Sequence, residues 1–199
     1  MAPARMNTLP LQIIGGASIL ATLLALWIAA RAEPLRRAVL AADRALTGLA
    51  AVAACLALAL AAIAGLWQVI SRFGTETPAV WSEALVRTAL IWMALLGLAV
   101  ALRMGALVSI DVAHRYSRGA LQRALEAASL AASLSLMGVL FWFGWGMAQR
   151  VKFQEMAGLE VSMSWGYAAI PVGALFAMLG AVAHFLDREH GSAELEAAV

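Results

Sequence analysis

Charge is scarce in this sequence. Only 13% of its 199 residues are charged, against 63% hydrophobic, and the mean hydropathy is +0.85. A soluble domain carries roughly one charged residue in four, so this composition excludes an ordinary soluble fold. Cysteine is nearly absent. Cys55 is alone, which excludes an intramolecular disulfide, and its place inside an apolar run leads us to expect a small residue packed between helices. Histidine is rare as well. His114 falls in a connecting segment, His190 in the tail, and only His184 near an apolar run, a poor supply of axial ligands for a membrane haem. No phosphate loop and no metal-spaced His/Cys cluster is written in the chain, so no cofactor is expected. The stretches 9–30, 45–70 and 165–186 contain no Asp, Glu, Lys or Arg. Ionisable groups inside a membrane are costly and usually functional, so their absence argues against an enzyme or a self-sufficient carrier. The acids nearest to mid-membrane positions, Glu83 and Glu126, lie at the ends of apolar runs. The net charge of +2 comes from basic residues clustered in connections, which is no nucleic-acid face.

What the chain has in quantity is apolar runs of about the length that crosses a bilayer as a helix, roughly 20 residues. Five can be read, at 9–30, 45–70, 84–102, 125–148 and 165–186. The expected fold is therefore an all-α integral membrane bundle, one compact domain with a short polar tail from Asp187 to Val199. Breakers separate the runs at Glu33-Pro34, Phe73-Gly74 with Pro78, Arg118-Gly119 and Ala157-Gly158. Orientation follows from the basic residues. Arg31, Arg36, Arg37, Arg44, Arg103, Arg115, Arg118, Arg123 and Arg188 fall on one side, nine in all, whereas Arg5, Arg72, Arg150 and Lys152 make four on the other. The first side is expected to be cytoplasmic, with the C-terminus. Trp67, Trp81, Trp145 and Trp165 cluster near the opposite boundary and Trp27 near the cytoplasmic one, as interface anchors would, whereas Trp92 and Trp142 are expected to pack deeper against helices. The first run carries Ala30-Arg31-Ala32 behind it, similar to a signal-peptidase site. Cleavage there would leave the Arg36, Arg37 and Arg44 segment outside, against the charge rule, so a retained extra helix is the favoured reading. The connection from Gly105 to Arg123 reads equally as a basic surface segment, with Ile110, Leu121 and Leu125 as apolar contacts, or as a plain connector.

The segment "ETPAVWSEALVRTALIW", 76–92, puts a Trp, a Glu and an Arg at the mouth of an apolar helix. Thr77 before Pro78 predicts the helix start, with Thr as N-cap and Pro at the first helical position. Glu83 and Arg87 are four apart with the acid first, the favourable order against the helix dipole. Trp81-Ser82-Glu83 is followed by "LIWMALLGLAVALRMG", by Gly105 and Asp111 six residues apart, and by "VSMSWGYAAIPVG", which contains Tyr167 and Pro171. In this order and spacing they resemble the small membrane subunit, DctQ type, of tripartite ATP-independent periplasmic (TRAP) transporters, over roughly 40–187. The resemblance implies an inner-membrane complex in which a large membrane subunit carries an organic anion with sodium ions. A periplasmic binding protein delivers the anion, and the small subunit supports the large one, with help in docking the binding protein as a further suggested task. It makes Trp81, Ser82, Glu83, Arg87, Gly105, Asp111, Tyr167 and Pro171 the candidates for subunit contact or structural roles. Two departures stand out. Leu107 occupies a position where members of the family often carry His, and residues 1–39 add to the usual four helices. A small stand-alone oligomeric carrier is the competing reading, and a membrane redox or enzyme subunit the third.

Overall fold

The computed structural model describes residues 9–31, 33–74, 79–105 and 120–197. They form α1 (Leu9–Arg31), α2 (Glu33–Gly74), α3 (Val80–Arg103), α4 (Ala120–Arg150), the short α5 (Ser164–Tyr167) and α6 (Ala169–Ala197). Among the described residues, five segments are long and apolar enough to cross a membrane: 10–27, 36–74, 80–103, 124–150 and 164–187. The chain is thus an all-α membrane bundle, as the apolar runs predict.

The last span is the hub. More than half of it is buried (56%), against 17–22% for the other four, because α6 packs on α1, α2, α3 and α4. In lipid there is no hydrophobic drive between helices, so close association depends on small residues that let backbones approach. The sequence supplies them. Ala174 and Ala177 of α6 meet Ala99 and Leu102 of α3 and Met137 of α4, while Ala50 and Ala54 of α2 meet Leu96 of α3. Gly173 is the tightest point of the α3–α6 crossing. A Cβ there would stand 2.6 Å from Leu95 Cβ and 3.2 Å from that residue's carbonyl.

α1 lies against α4 and α6 and only marginally against α2. Its buried face is Ile14, Ser18, Thr22 and Ala25, spaced four, four and three apart as a helix stripe requires. Ala25 joins Leu130, Leu134, Ala181 and Phe185 in one cluster. The Ser18 and Thr22 hydroxyls donate to Gly15 O and Ser18 O at 2.8 Å, so neither buried polar group is orphaned.

Four expectations are corrected. Residues 33–44 are not a loop but the first turns of α2, which runs unbroken for 42 residues, about 63 Å at 1.5 Å per residue. Pro34 stands in the opening turn, where its missing N–H has no intrahelical partner to lose, so it starts the helix and does not break it. Cys55 is exposed on the outer side of α2 and does not pack between helices, because the Ala50–Ala54 stripe takes the α3-facing side. Trp142 is 53% exposed and faces outward, since Met137 fills the interior position on α4. Finally, α3 begins at Val80 with Ala79 as its N-cap. Alanine has no capping side chain, and the Ser82 hydroxyl instead donates back to Ala79 O at 2.6 Å. Thr77 and Pro78 lie outside the described residues, as do Asp111, Leu107, His114 and the connection 106–119.

Candidate functional site

The two ends of α3 each carry a cluster of polar residues. Glu83 and Arg103 are 20 residues apart, about 30 Å along the helix, which is the thickness of a bilayer's hydrocarbon core. Each therefore sits near one membrane face.

At the first end, the chain after α4 turns back on itself. Met156 N donates to Val161 O and Met163 N to Gln154 O, both at 2.8 Å, with an isolated bridge between Glu155 and Ser162. Gly158 at its tip has φ +81°, and a Cβ there would lie 2.8 Å from Trp81 N. Glycine is required twice over, for the left-handed backbone and for the contact with the start of α3. Two further bonds tie this return segment to α3: Thr88 Oγ1 donates to Met156 Sδ at 3.3 Å, and Trp92 Nε1 donates to Trp165 O at 3.1 Å.

Between α3 and the return segment lies a groove of about 410 Å³. Glu83, Arg87 and Tyr167 are among its lining residues, with Met156, Met163, Ile91 and Ile170 forming much of its apolar wall. Arg87 Nη2 donates to Glu83 Oε1 at 2.8 Å, and both side chains remain well exposed, at 72% and 63%. Ser82 is fully buried behind them, and Trp81 is exposed beside them. Of the sequence candidates, then, Trp81, Ser82, Glu83, Arg87 and Tyr167 come together at one corner. Pro171 lies four residues beyond Tyr167, in the first turn of α6, and is buried, with its Cδ 3.2 Å from where a Cβ on Gly144 would stand.

Gly105 belongs to the other end. It closes α3 at φ +68°, its N–H donating to Leu102 O at 3.2 Å, and the His184 ring of α6 packs straight onto it. A Cβ there would come 2.5 Å from His184 Cε1. Beside it, Arg103 bridges two acids on two other helices. Its Nε donates to Asp43 Oδ2 of α2 at 2.5 Å and its Nη2 to Asp187 Oδ2 of α6 at 3.0 Å. The Asp43 side chain is only 3% exposed and also accepts from Thr47 Oγ1 at 3.1 Å. This clasp of Asp43, Arg103, Asp187 and His184 was not among the candidates read from the sequence. Its signal was present. Asp43 stands just ahead of one apolar run, Arg103 at the end of another, and Asp187 at the end of a third, two acids and a base at one membrane level.

Five apolar helices joined through small residues, with their charges toward the span ends and no charged residue along the middle of the described spans, define a small multi-pass membrane protein. The profile described as "Tripartite ATP-independent periplasmic transporters, DctQ component" matches residues 61–190. The chain belongs to this family, as a small permease subunit of a TRAP transporter. Over 114 residues it is 34% identical to the sialic acid TRAP transporter small permease protein SiaQ of Vibrio cholerae serotype O1. That match covers 55% of this chain and 64% of the relative, so it spans less than two thirds of the relative's length.

Proposed function

We propose that this chain is the accessory membrane subunit of a sodium-driven, binding-protein-dependent secondary transporter for organic anions such as C4-dicarboxylates, sialic acid or other carboxylates. It supports a large permease subunit in the bacterial inner membrane and works with a periplasmic binding protein. The family match over 61–190 carries this reading. It is supported by the distribution of charge, because Glu83, Arg87, Arg103 and Glu126 all stand toward span ends and offer no ion or substrate path through the bundle. The excess of arginine on the Arg103 side supports a cytoplasmic C-terminus, which puts the Trp81–Arg87 corner at the outer boundary. There Trp81 anchors α3 in the interface, and Glu83 neutralises Arg87 or a basic group of the large subunit. The buried stripe of α1 supports its retention as a fifth helix.

The decisive experiment is reconstitution in liposomes with an inward sodium gradient. The chain alone is expected to give no saturable uptake of dicarboxylates or sialic acid, and uptake should appear only when a large permease subunit and binding protein are added. Robust uptake by the chain alone would instead identify a stand-alone carrier.

A further inference from the structure

The groove at the outer corner is graded. Its charged pair, Glu83 and Arg87, sits toward the start of α3, and its apolar walls continue one turn deeper at Ile91 and Ile170. Trp81, two residues before Glu83, and Trp165, next to the lining Gly166, are both exposed, as indole rings that settle at a membrane boundary are. A second groove beside it, about 450 Å³ along Trp145, Trp165 and Leu175, has no charged lining residue and looks like ordinary lipid-facing surface. The first groove is different because it matches an amphiphile, with a polar head at the boundary and an apolar chain below it.

The valences of the pair say which head fits. A guanidinium has five N–H donors, and among the described residues Arg87 uses one, on Glu83 Oε1. Arg87 is 16 residues from Arg103, about 24 Å, so it lies inside the hydrocarbon slab and its exposed side chain faces outward at that depth. Such a guanidinium reaches up to the boundary and takes anionic oxygens there, phosphate above all. Glu83 keeps a carboxylate oxygen that Arg87 does not occupy, one turn nearer the surface. Positive and negative valences thus lie side by side, in the order in which a zwitterionic headgroup presents phosphate and, further out, ammonium.

We propose that this groove binds one glycerophospholipid with an amine-bearing headgroup. Its phosphate is held by Arg87 and its ammonium by Glu83, and one acyl chain descends between α3 and α6 past Ile91 and Ile170. The site needs only that the corner lie at a membrane boundary. It does not depend on the transporter reading or on which side faces the cytoplasm, so it fails or stands separately from them. The rival occupant is a helix of the large subunit.

The test is native mass spectrometry of the purified, delipidated full chain titrated with phosphatidylethanolamine and with phosphatidylglycerol of the same acyl chains. One equivalent of phosphatidylethanolamine is expected to bind, several-fold tighter than phosphatidylglycerol. Arg87→Gln should weaken both lipids about tenfold, the effect of losing one charge-assisted hydrogen bond, and Arg87→Lys should restore part of the loss. Glu83→Gln should erase the preference for the amine headgroup while phosphatidylglycerol binding stays. Gly166→Leu should fill the groove and abolish the bound equivalent, since a Cβ there meets nothing nearer than Thr88 at 3.8 Å. Glycerophosphoethanolamine, a headgroup without chains, should not compete. Wild-type binding by both Arg87→Gln and Gly166→Leu would overturn the proposal. So would equal competition by the chainless headgroup, or loss of the lipid from the chain when it is purified with the large subunit, which would give the groove to that partner.

Discussion

Arg103→Met is the most informative single change, because the clasp at the Arg103 end of α3 gathers three helices on one side chain. Methionine keeps the length and apolar stem of arginine but leaves Asp43, 3% exposed, with Thr47 Oγ1 as its one remaining donor among the described residues. Removing one partner of a buried ion pair costs about 3–5 kcal/mol, most of it the penalty of the charge left behind. For a chain of this size that lowers the melting temperature by about 6–20 °C. Asp187 is the contrasting partner. Its side chain is 56% exposed, so its share of the clasp is that of a surface pair, and Asp187→Asn should cost at most about 1 kcal/mol. The double variant Asp43→Asn with Arg103→Met removes the orphaned charge together with its partner and should recover most of the loss. The assay is thermal unfolding of the purified chain in one detergent at one lipid content, followed by tryptophan fluorescence for all four proteins. If Arg103→Met is no less stable than Asp187→Asn, or if the double variant is as unstable as Arg103→Met alone, then the clasp does not hold α2, α3 and α6 together.

Other expectations can be checked alongside. Gly173→Ala should lose about 1–3 kcal/mol, since the new methyl meets the backbone of Leu95, which cannot yield; Gly146→Ala, with nothing within 4 Å, should stay within about 0.5 kcal/mol of wild type in the same unfolding assay. Reporter fusions at Val199 and between Arg72 and Thr77 should score as cytoplasmic and external, and reversed signals would overturn the orientation. N-terminal sequencing of the purified protein should find α1 present, and a first residue at Glu33 would remove it. Glu83→Gln should weaken copurification with the large subunit and lower uptake, Glu83→Asp less so, whereas unchanged assembly would reduce the pair to a local aid to insertion.

The sequence alone determined the class of fold, because crossing a bilayer demands runs of apolar residues whose length and number can be read directly. The five runs and the five membrane-crossing helices coincide within a few residues at most ends. Glu83 and Arg87 were legible for a similar reason, since an i,i+4 pair is a property of one helix and needs no knowledge of its neighbours. What lies between helices was not legible. Asp43, Arg103 and Asp187 are separated by 60 and 84 residues and meet only because α2 and α6 pass the end of α3 at one level. The tertiary structure also decided which side of each helix faces inward. An apolar residue is equally at home against lipid or against another helix, so hydropathy could not tell that Cys55 and Trp142 face outward. The choice was made by the small residues at the crossings, Ala54 and Ala99 with Gly173 and Gly180, where only a missing side chain lets two backbones come together.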